Sequence, residues 1–103
     1  MATHVVGTIL DPWGRPAVGV PVSLLGGDTN LHTVTDSTGA YDITITSTAA
    51  TTVSTLSFGV AQIAVDNTAS GAAVNKWCGA YGYPSFTATL DATATKDAQM
   101  RVL

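Results

Sequence analysis

The chain has 103 residues, only 11% of them charged, and its net charge at pH 7 is −3. This length predicts a single domain over 1–103, with room for one hydrophobic core. The acidic balance argues against nucleic acids and anionic membranes as partners, because both attract basic surfaces. All seven acidic residues are Asp, while Thr, Val and Gly are plentiful, and this composition favours strands and turns over helices.

The first part of the chain predicts two strands joined through a turn. Along Val5–Asp11 the strand period of two places Val5, Gly7 and Ile9 on one face, and Val6, Thr8 and Leu10 on the other. Residues 11–14, Asp-Pro-Trp-Gly, then predict a turn, since Pro fixes φ at the second position and Gly fits the fourth. A second strand is predicted over Val20–Leu24, and Pro21 favours a sheet edge for it, because Pro cannot donate a ladder hydrogen bond.

Two further strands are predicted on either side of a second turn. Alternation indicates a strand over Leu31–Thr35, and the turn at 36–39 contains Asp36, which can accept hydrogen bonds from its own backbone. The fourth strand is marked by three side chains that share its inward face: Tyr41, Ile43 and Ile45.

The order of these motifs carries a family resemblance. The motifs are Val5-x-Gly7-x-Ile9-x-Asp11, Gly14-x-Pro16, Gly19-Val20-x-Val22-x-Leu24 and Thr35-Asp36-x-x-Gly39-x-Tyr41-x-Ile43. In order and spacing they resemble the carboxypeptidase regulatory-like domains, over the part of the chain from Val5 to Ile43. The resemblance implies an all-β fold, a seven-stranded Greek-key β-sandwich of the Ig-like, transthyretin-like type.

The second half departs from that family's pattern. Where its members carry a Tyr-rich strand, residues 46–55 are almost entirely Thr, Ser and Ala, which indicates an exposed loop or strand end. Alternate apolar residues of 56–60 share one phase and those of 63–65 share the opposite one. Because a one-residue slip moves every side chain to the other face, we expect a bulge or break near Ala61-Gln62.

The remainder predicts a long connection and two closing strands. Residues 66–85 contain three Gly and one Pro and are interpreted as a long connection, before strands at Phe86–Leu90 and Ala98–Val102. Across the chain, the alternation assigns the following side chains to the core: Val5, Ile9, Val22, Leu24, Tyr41, Ile43, Phe58, Phe86 and Leu90.

Residues 75–84 concentrate the chemistry of the chain. Within Asn-Lys-Trp-Cys-Gly-Ala-Tyr-Gly-Tyr-Pro, we single out Lys76, Trp77, Tyr81 and Tyr83 as partner-binding residues. Trp and Tyr supply a large contact area at small entropic cost, on a protein surface or stacked on a sugar. The alternative is that these aromatics fold back over one end of the sandwich and complete its core.

No set of residues in the sequence predicts catalysis, a metal or a cofactor. Cys78 would need a neighbouring base to act as a nucleophile, and nothing places His4 or His32 beside it. A buried structural thiol is therefore expected. The two histidines, without any Glu, provide no metal set. Asp28 and Asn30 fit a polar turn better than a calcium site.

The sequence lacks the catalytic or cross-linking residues of two related families. The transthyretin-like hydrolases end in Tyr-Arg-Gly-Ser, whereas this chain ends in Met100-Arg101-Val102-Leu103. Collagen-adhesin B-type repeats cross-link Lys to Asn or Asp with the help of a buried Glu, and this chain has no Glu. We therefore expect a chain that is not an enzyme.

These features together predict a structural or interaction module. Few charges leave a neutral surface that a neighbouring subunit is expected to cover, although Thr and Ser hydroxyls could instead solvate it. The leading hypothesis is a bacteriophage virion component, such as a capsid decoration, fibre or tail-associated protein, in contact with other subunits or further copies of itself. The alternative is an extracellular carbohydrate- or protein-binding module of a secreted bacterial protein. A start without an apolar signal segment favours the first hypothesis.

Overall fold

The computed structural model describes residues 3–26, 29–45, 51–67, 72–89 and 92–103. These residues form strands and no helix, so the all-β prediction is confirmed, and no helix that could cross a membrane is found among them. The strand segments are β1 (Thr3–Leu10), β2 (Pro21–Gly26), β3 (Thr29–Val34), β4 (Ala40–Ile45), β5 (Thr51–Phe58), β6 (Ala61–Asn67), β7 (Ala72–Gly79), β8 (Tyr83–Thr89), β9 (Thr93–Thr95), β10 (Ala98–Gln99) and β11 (Arg101–Val102).

The described strands make three sheets in a sandwich-like arrangement. The first sheet has the order β10-β1-β4, with β9 also beside β1, and the second has the order β3-β2-β5-β8. The third, β11-β7-β6, continues from one end of the second sheet. Only β9 and β10 pair in parallel, both with β1, and the remaining described pairs are antiparallel. The seven-stranded Greek-key connectivity stays a prediction.

The core lies between the first two sheets and follows the two-residue alternation of the strands. Along β1 every second residue is buried, which places one face of the strand inward throughout. Seven of the expected core side chains are confirmed as buried: Val5, Ile9, Val22, Leu24, Tyr41, Ile43 and Phe58. The structure describes only the backbone of Phe86, and Leu90 lies outside the described residues.

Both predicted turns are confirmed, and glycine is required in each. The Gly14 N–H donates to the Asp11 carbonyl at 3.0 Å, and Gly14 has a φ of 85°. In the second turn the Asp36 carboxylate accepts the backbone N–H groups of Thr38 at 2.8 Å and Ala40 at 3.1 Å. Gly39 closes that turn with a φ of 76°, in the left-handed region that side chains disfavour.

The predicted sheet-edge position of Pro21 was wrong. The strand β2 lies between β3 and β5, so it is central in its sheet. Pro21 is tolerated there because it is the first residue of β2, where a missing N–H costs the ladder little. Its carbonyl still accepts a hydrogen bond from the Gly59 N–H at 2.7 Å.

The long connection expected over 66–85 was also wrong. Most of this segment belongs to β6, β7 and β8, and only residues 80–82 separate β7 from β8. Close packing requires the glycine at Gly82, since a Cβ there would lie 2.2 Å from the carbonyl oxygen of Leu56. Part of the Thr-rich segment, 51–55, is likewise strand, and residues 46–50 lie outside the described ranges. The expected phase break occurs at Gly59 and Val60, slightly earlier than predicted.

The strands β5 to β8 form one long antiparallel ribbon. Leu56 lies opposite Tyr83, and the same register continues from Ala61 opposite Cys78 to Asn67 opposite Ala72. A one-residue shift between Ser54 and Leu56 interrupts the ribbon within the second sheet. Since the ribbon passes from the second sheet into the third, it makes the molecule elongated, with principal dimensions of 54 × 21 × 15 Å.

Candidate functional site

A shallow groove lies where the third sheet joins the body of the sandwich. Its volume is about 350 Å³. Its lining comes from the end of β5 and the break that follows it, from the end of β7 and the residues after it, and from the end of the chain. We call it the Gly79 groove, lined by Phe58, Val60, Gly79, Ala80, Tyr81, Arg101, Val102 and Leu103.

The missing side chain of Gly79 keeps the groove open. Gly79 lies opposite Arg101 in the pairing of β7 with β11. A Cβ built on Gly79 would lie 3.4 Å from a methyl carbon of Val60 and 3.5 Å from one of Leu103, which is ordinary van der Waals contact. A larger side chain could therefore be carried by the backbone at this position, and it would fill the groove.

Large apolar side chains are exposed around this groove. The exposed fractions are 51% for Val60, 54% for Trp77, 82% for Tyr81 and 75% for Leu103. The Leu103 N–H donates to the Trp77 carbonyl oxygen at 3.0 Å, which holds the end of the chain beside β7. Because Trp77 and Gly79 are two residues apart on one strand, they share a face. We use the name apolar band for the exposed apolar side chains that line the groove or share the face of Trp77: Val60, Trp77, Tyr81, Val102 and Leu103.

Among the residues that line the groove, Arg101 has the charged side chain. The guanidinium carbon of Arg101 lies 5.7 Å from the centre of the Tyr81 ring, within the range of a cation–π contact. This contact holds a planar cation beside an aromatic ring at the mouth of an apolar groove. Trp, Tyr and Arg are the residue types that dominate binding energy at protein interfaces.

The structure places the four predicted partner-binding residues in three different surroundings. Trp77 and Tyr81 lie in the apolar band, whereas Lys76 is exposed on the other face of β7. Tyr83 is half-buried, with its ring 6.3 Å from that of Phe58, and its hydroxyl donates to the Asp97 carbonyl at 2.8 Å. The expectation that aromatics complete the core therefore holds in part for Tyr83. Binding of a partner by any of the four stays a prediction.

The inner face of β7 closes the end of the core. Cys78 is fully buried there, together with Met100 and Ile63. Burial raises the pKa of the Cys78 thiol, and the negative charge of Asp11 raises it further. The expected burial of this thiol is confirmed, and a buried thiol forms little of the thiolate that nucleophilic chemistry requires.

The other candidate ligands and bases lie apart from Cys78. The Nδ1 atom of His4 is 3.0 Å from a carboxylate oxygen of Asp42, and Nδ1 of His32 is 2.9 Å from the Ser23 hydroxyl. Among the residues that the structure describes, no group of three or more His, Cys, Asp or Glu could hold a metal ion. Of the calcium candidates, residue 28 lies outside the described ranges, and residue 30 is described for its backbone alone.

Sequence reasoning missed the burial of a carboxylate that lies outside the groove lining. Asp11 is 2% exposed and accepts the backbone N–H groups of Trp13 and Arg15, each at 2.9 Å. The Arg15 Nε also donates to it at 2.8 Å. The spacing of Asp and Arg across a Pro-Gly turn was the available signal, but it predicted only a turn. The carboxylate organises the loop that follows β1.

Comparison of the chain with models of known protein families and with curated proteins found no match.

Proposed function

We propose that the chain is a non-enzymatic structural and interaction module of a larger protein assembly, and that it contacts neighbouring subunits through the apolar band. The observation that carries the proposal is the exposure of five large apolar side chains beside one groove. Exposed apolar side chains that cluster in this way mark contact surfaces more often than singly scattered ones. The assembly that we propose is a bacteriophage virion, in which the chain is a capsid decoration, fibre or tail-associated protein.

The low charge of the chain supports a covered surface. Only 11% of its residues are charged, about half the usual share of a soluble domain. Covering neutral surface avoids the cost of removing ions from water, and each Å² of apolar area removed from water contributes about 25 cal/mol. A subunit that seats an apolar side chain in the Gly79 groove would gain this energy, and the Arg101 guanidinium could keep its contact with the Tyr81 ring.

We also propose that the fold is a carboxypeptidase regulatory-like, transthyretin-like sandwich. If β5 is counted together with β6, β7 with β8, and β9 with β10 and β11, the eleven described segments form seven longer strands. Seven is the number of strands that the resemblance implies. The motif residues of that resemblance also have structural roles here. Thr35, for example, is buried and donates from its hydroxyl to the Ala17 carbonyl while accepting the Val20 N–H at 2.9 Å.

A second candidate function is carbohydrate binding in an extracellular module, and the exposed rings of Trp77 and Tyr81 favour it. Such rings can stack on the apolar face of a sugar. Sugars also need convergent hydrogen-bonding groups, yet Arg101 and the Tyr81 hydroxyl are the polar side-chain groups among the groove-lining residues. A protein surface therefore fits the groove better than a sugar does.

Incorporation into the native assembly tests the proposed function. We would express tagged parent and variant chains in the source cells and separate particles from free protein by sedimentation. The parent should sediment with particles of fixed composition, and Trp77→Ala/Tyr81→Ala and Gly79→Val should both remain in the slow fraction. Trp13→Ala is the matched control, because Trp13 is 49% exposed but does not line the groove.

Two results would contradict the proposal. One is a parent chain that never sediments with particles. The other is a band variant that is incorporated as well as the parent. Binding of the purified chain to defined oligosaccharides, lost in the same two variants, would favour the carbohydrate alternative.

A further inference from the structure

The ribbon leaves one side of β6 without a neighbouring strand. In the second sheet, β2 pairs with one edge of β5. The first residue of β2, Pro21, accepts a hydrogen bond from the Gly59 N–H. Before Pro21 the chain bends away at Gly19, which has a φ of 74°. Within the described part of the chain, no strand pairs with the corresponding edge of Ala61–Asn67. Among the described residues, therefore, no strand pairs with the outer edge of β6 along its seven residues.

The hydrogen bonding of β7 identifies which β6 groups are unpaired. The Trp77 carbonyl accepts from Leu103, so its backbone groups point toward β11 and away from β6. Gln62 lies opposite Trp77, and the two residues therefore form a non-hydrogen-bonded pair. Since the direction alternates along a strand, the N–H and C=O groups of Gln62, Ala64 and Asp66 point to the open edge.

This edge has few of the features that usually block pairing between molecules, since Asp66 is its one charged residue. Open edges are commonly guarded by Lys, Pro, bulges or short strand length. The strand β6 reads Ala-Gln-Ile-Ala-Val-Asp-Asn, without Lys, Arg or Pro, and its register with β7 is unbroken. By contrast, the edge strand β8 carries Pro84 and a register shift, and the run from β9 to β11 is interrupted twice.

A third strand would also stabilise the part of the ribbon that extends beyond β11. Strand β11 pairs only with Cys78 and Gly79 of β7, so that beyond them β6 and β7 have only each other as described neighbours. An isolated two-stranded ribbon is marginally stable in water. Lys76 faces the same side of β7 as buried Cys78 but is exposed, which shows that the core has ended at this point.

We propose that β6 pairs in antiparallel fashion with β6 of a second copy of this chain, across a two-fold axis at Ala64. Ala64 is the midpoint of Ala61–Asn67 and one of the outward-pointing residues, so this register engages the whole strand. It places Gln62 opposite Asp66 of the second copy, and the single acid of the strand never faces another acid. A two-fold axis requires this self-complementary pattern.

The pairing has a consequence for the apolar band. A two-fold axis between antiparallel strands is perpendicular to the sheet, so both copies present the same face on the same side. The bands of the two copies would then form one bivalent surface, with the binding advantage that linked sites provide. The inference rests on the proposed function in this respect alone, since it names a second copy as one of the subunits contacted.

The test uses the purified full chain. We would measure its mass by sedimentation equilibrium and follow backbone amide exchange by NMR over a range of concentrations. We expect a dimer, and exchange of the Gln62, Ala64 and Asp66 amides that slows about tenfold or more as the dimer forms. The amides of Ile63 and Val65 bond to β7 in both states, so their exchange should stay slow at every concentration.

A pair of variants separates edge pairing from other association. Ala64→Pro removes an outward N–H without removing a bond to β7, and it should weaken dimerisation about tenfold or more, because each copy loses a hydrogen bond. Ala64→Thr keeps that N–H and should dimerise like the parent. A purified parent that stays monomeric at millimolar concentration overturns the inference, as does a dimer without protection of the three amides.

The inference and the proposed function fail separately. A monomeric chain whose Trp77→Ala/Tyr81→Ala variant is excluded from particles would refute edge pairing and leave the proposed function standing. A protected dimer that never enters a particle would do the reverse.

Discussion

The Tyr41 hydroxyl donates a hydrogen bond to the main-chain carbonyl of Lys96, which lies 55 residues later in the chain. The bond joins β4 to the run that follows β9, and it passes over Gly7 of β1. A Cβ on Gly7 would lie 2.0 Å from the Lys96 carbonyl oxygen and 2.8 Å from a ring carbon of Tyr41. The first sheet therefore depends on a glycine at this position.

Substitution of Gly7 should consequently destabilise the fold. We expect Gly7→Ala to lower the free energy of unfolding by about 1–3 kcal/mol, because backbone must move to admit the methyl group. Gly79→Ala is the matched control, since its Cβ would meet only ordinary contacts, and it should change stability by about 0.5 kcal/mol or less. Urea unfolding of both variants would test this, and equal effects would contradict the close approach.

The buried carboxylate of Asp11 should contribute more to the free energy of unfolding than an exposed carboxylate does. Asp11→Ala leaves the N–H groups of Trp13 and Arg15 without their acceptor, and we expect a loss of about 1–3 kcal/mol. Asp42→Ala removes a carboxylate that is exposed and paired with His4, so it should cost about 1 kcal/mol or less. Thermal and urea unfolding would measure the difference, and a smaller loss for Asp11 would show that its hydrogen bonds contribute little.

The turn at Asp36 should make stability depend on acid pH. The hydroxyl and then the N–H of Thr38, followed by the N–H of Ala40, lower the pKa of Asp36 below its usual 3.8. A lowered pKa in the folded chain contributes stability above pH 3.8, and that contribution is lost as the pH falls through the folded value. The stability difference between the parent and Asp36→Asn should therefore shrink below pH 3.8. A difference that is constant with pH would contradict this account.

The thiol of Cys78 should react only when the chain opens. Because burial raises its pKa, an alkylating reagent at neutral pH should modify the folded chain at least about tenfold more slowly than the unfolded chain. Cys78→Ser should still enter particles as the parent does, although a hydroxyl in the apolar site will lower stability. Rapid labelling of the folded chain, or loss of incorporation without unfolding, would assign the thiol a role that its burial does not suggest.

The first half of the fold could be predicted because its signals are local. Alternation along β1 and β4 identifies their buried faces, and the turns at 11–14 and 36–39 carry their own residue preferences. The all-β class and most of the described core follow from these patterns. The central position of β2 could not be predicted, because a Pro at the first residue of a strand reads like a Pro at an edge.

The candidate site was predictable only in part. The aromatic residues Trp77 and Tyr81 were visible as a cluster in the sequence. Their surroundings depend on the pairing of Arg101 with Gly79, which joins two segments without any local signal. Glycine was read as a sign of a loop, whereas at Gly79 it opens a groove within a strand and at Gly82 it permits close approach to Leu56. Only the pairing of strands distinguishes these uses.

Direct imaging of the chain in its native particle tests the central claim, which is that the apolar band is a contact surface between protein subunits. At a resolution that shows side chains, Trp77, Tyr81 and Leu103 should be buried against a neighbouring subunit, with a side chain of that subunit seated in the Gly79 groove. Particles in which these three side chains face solvent, with the contacts made elsewhere on the sandwich, would contradict the claim.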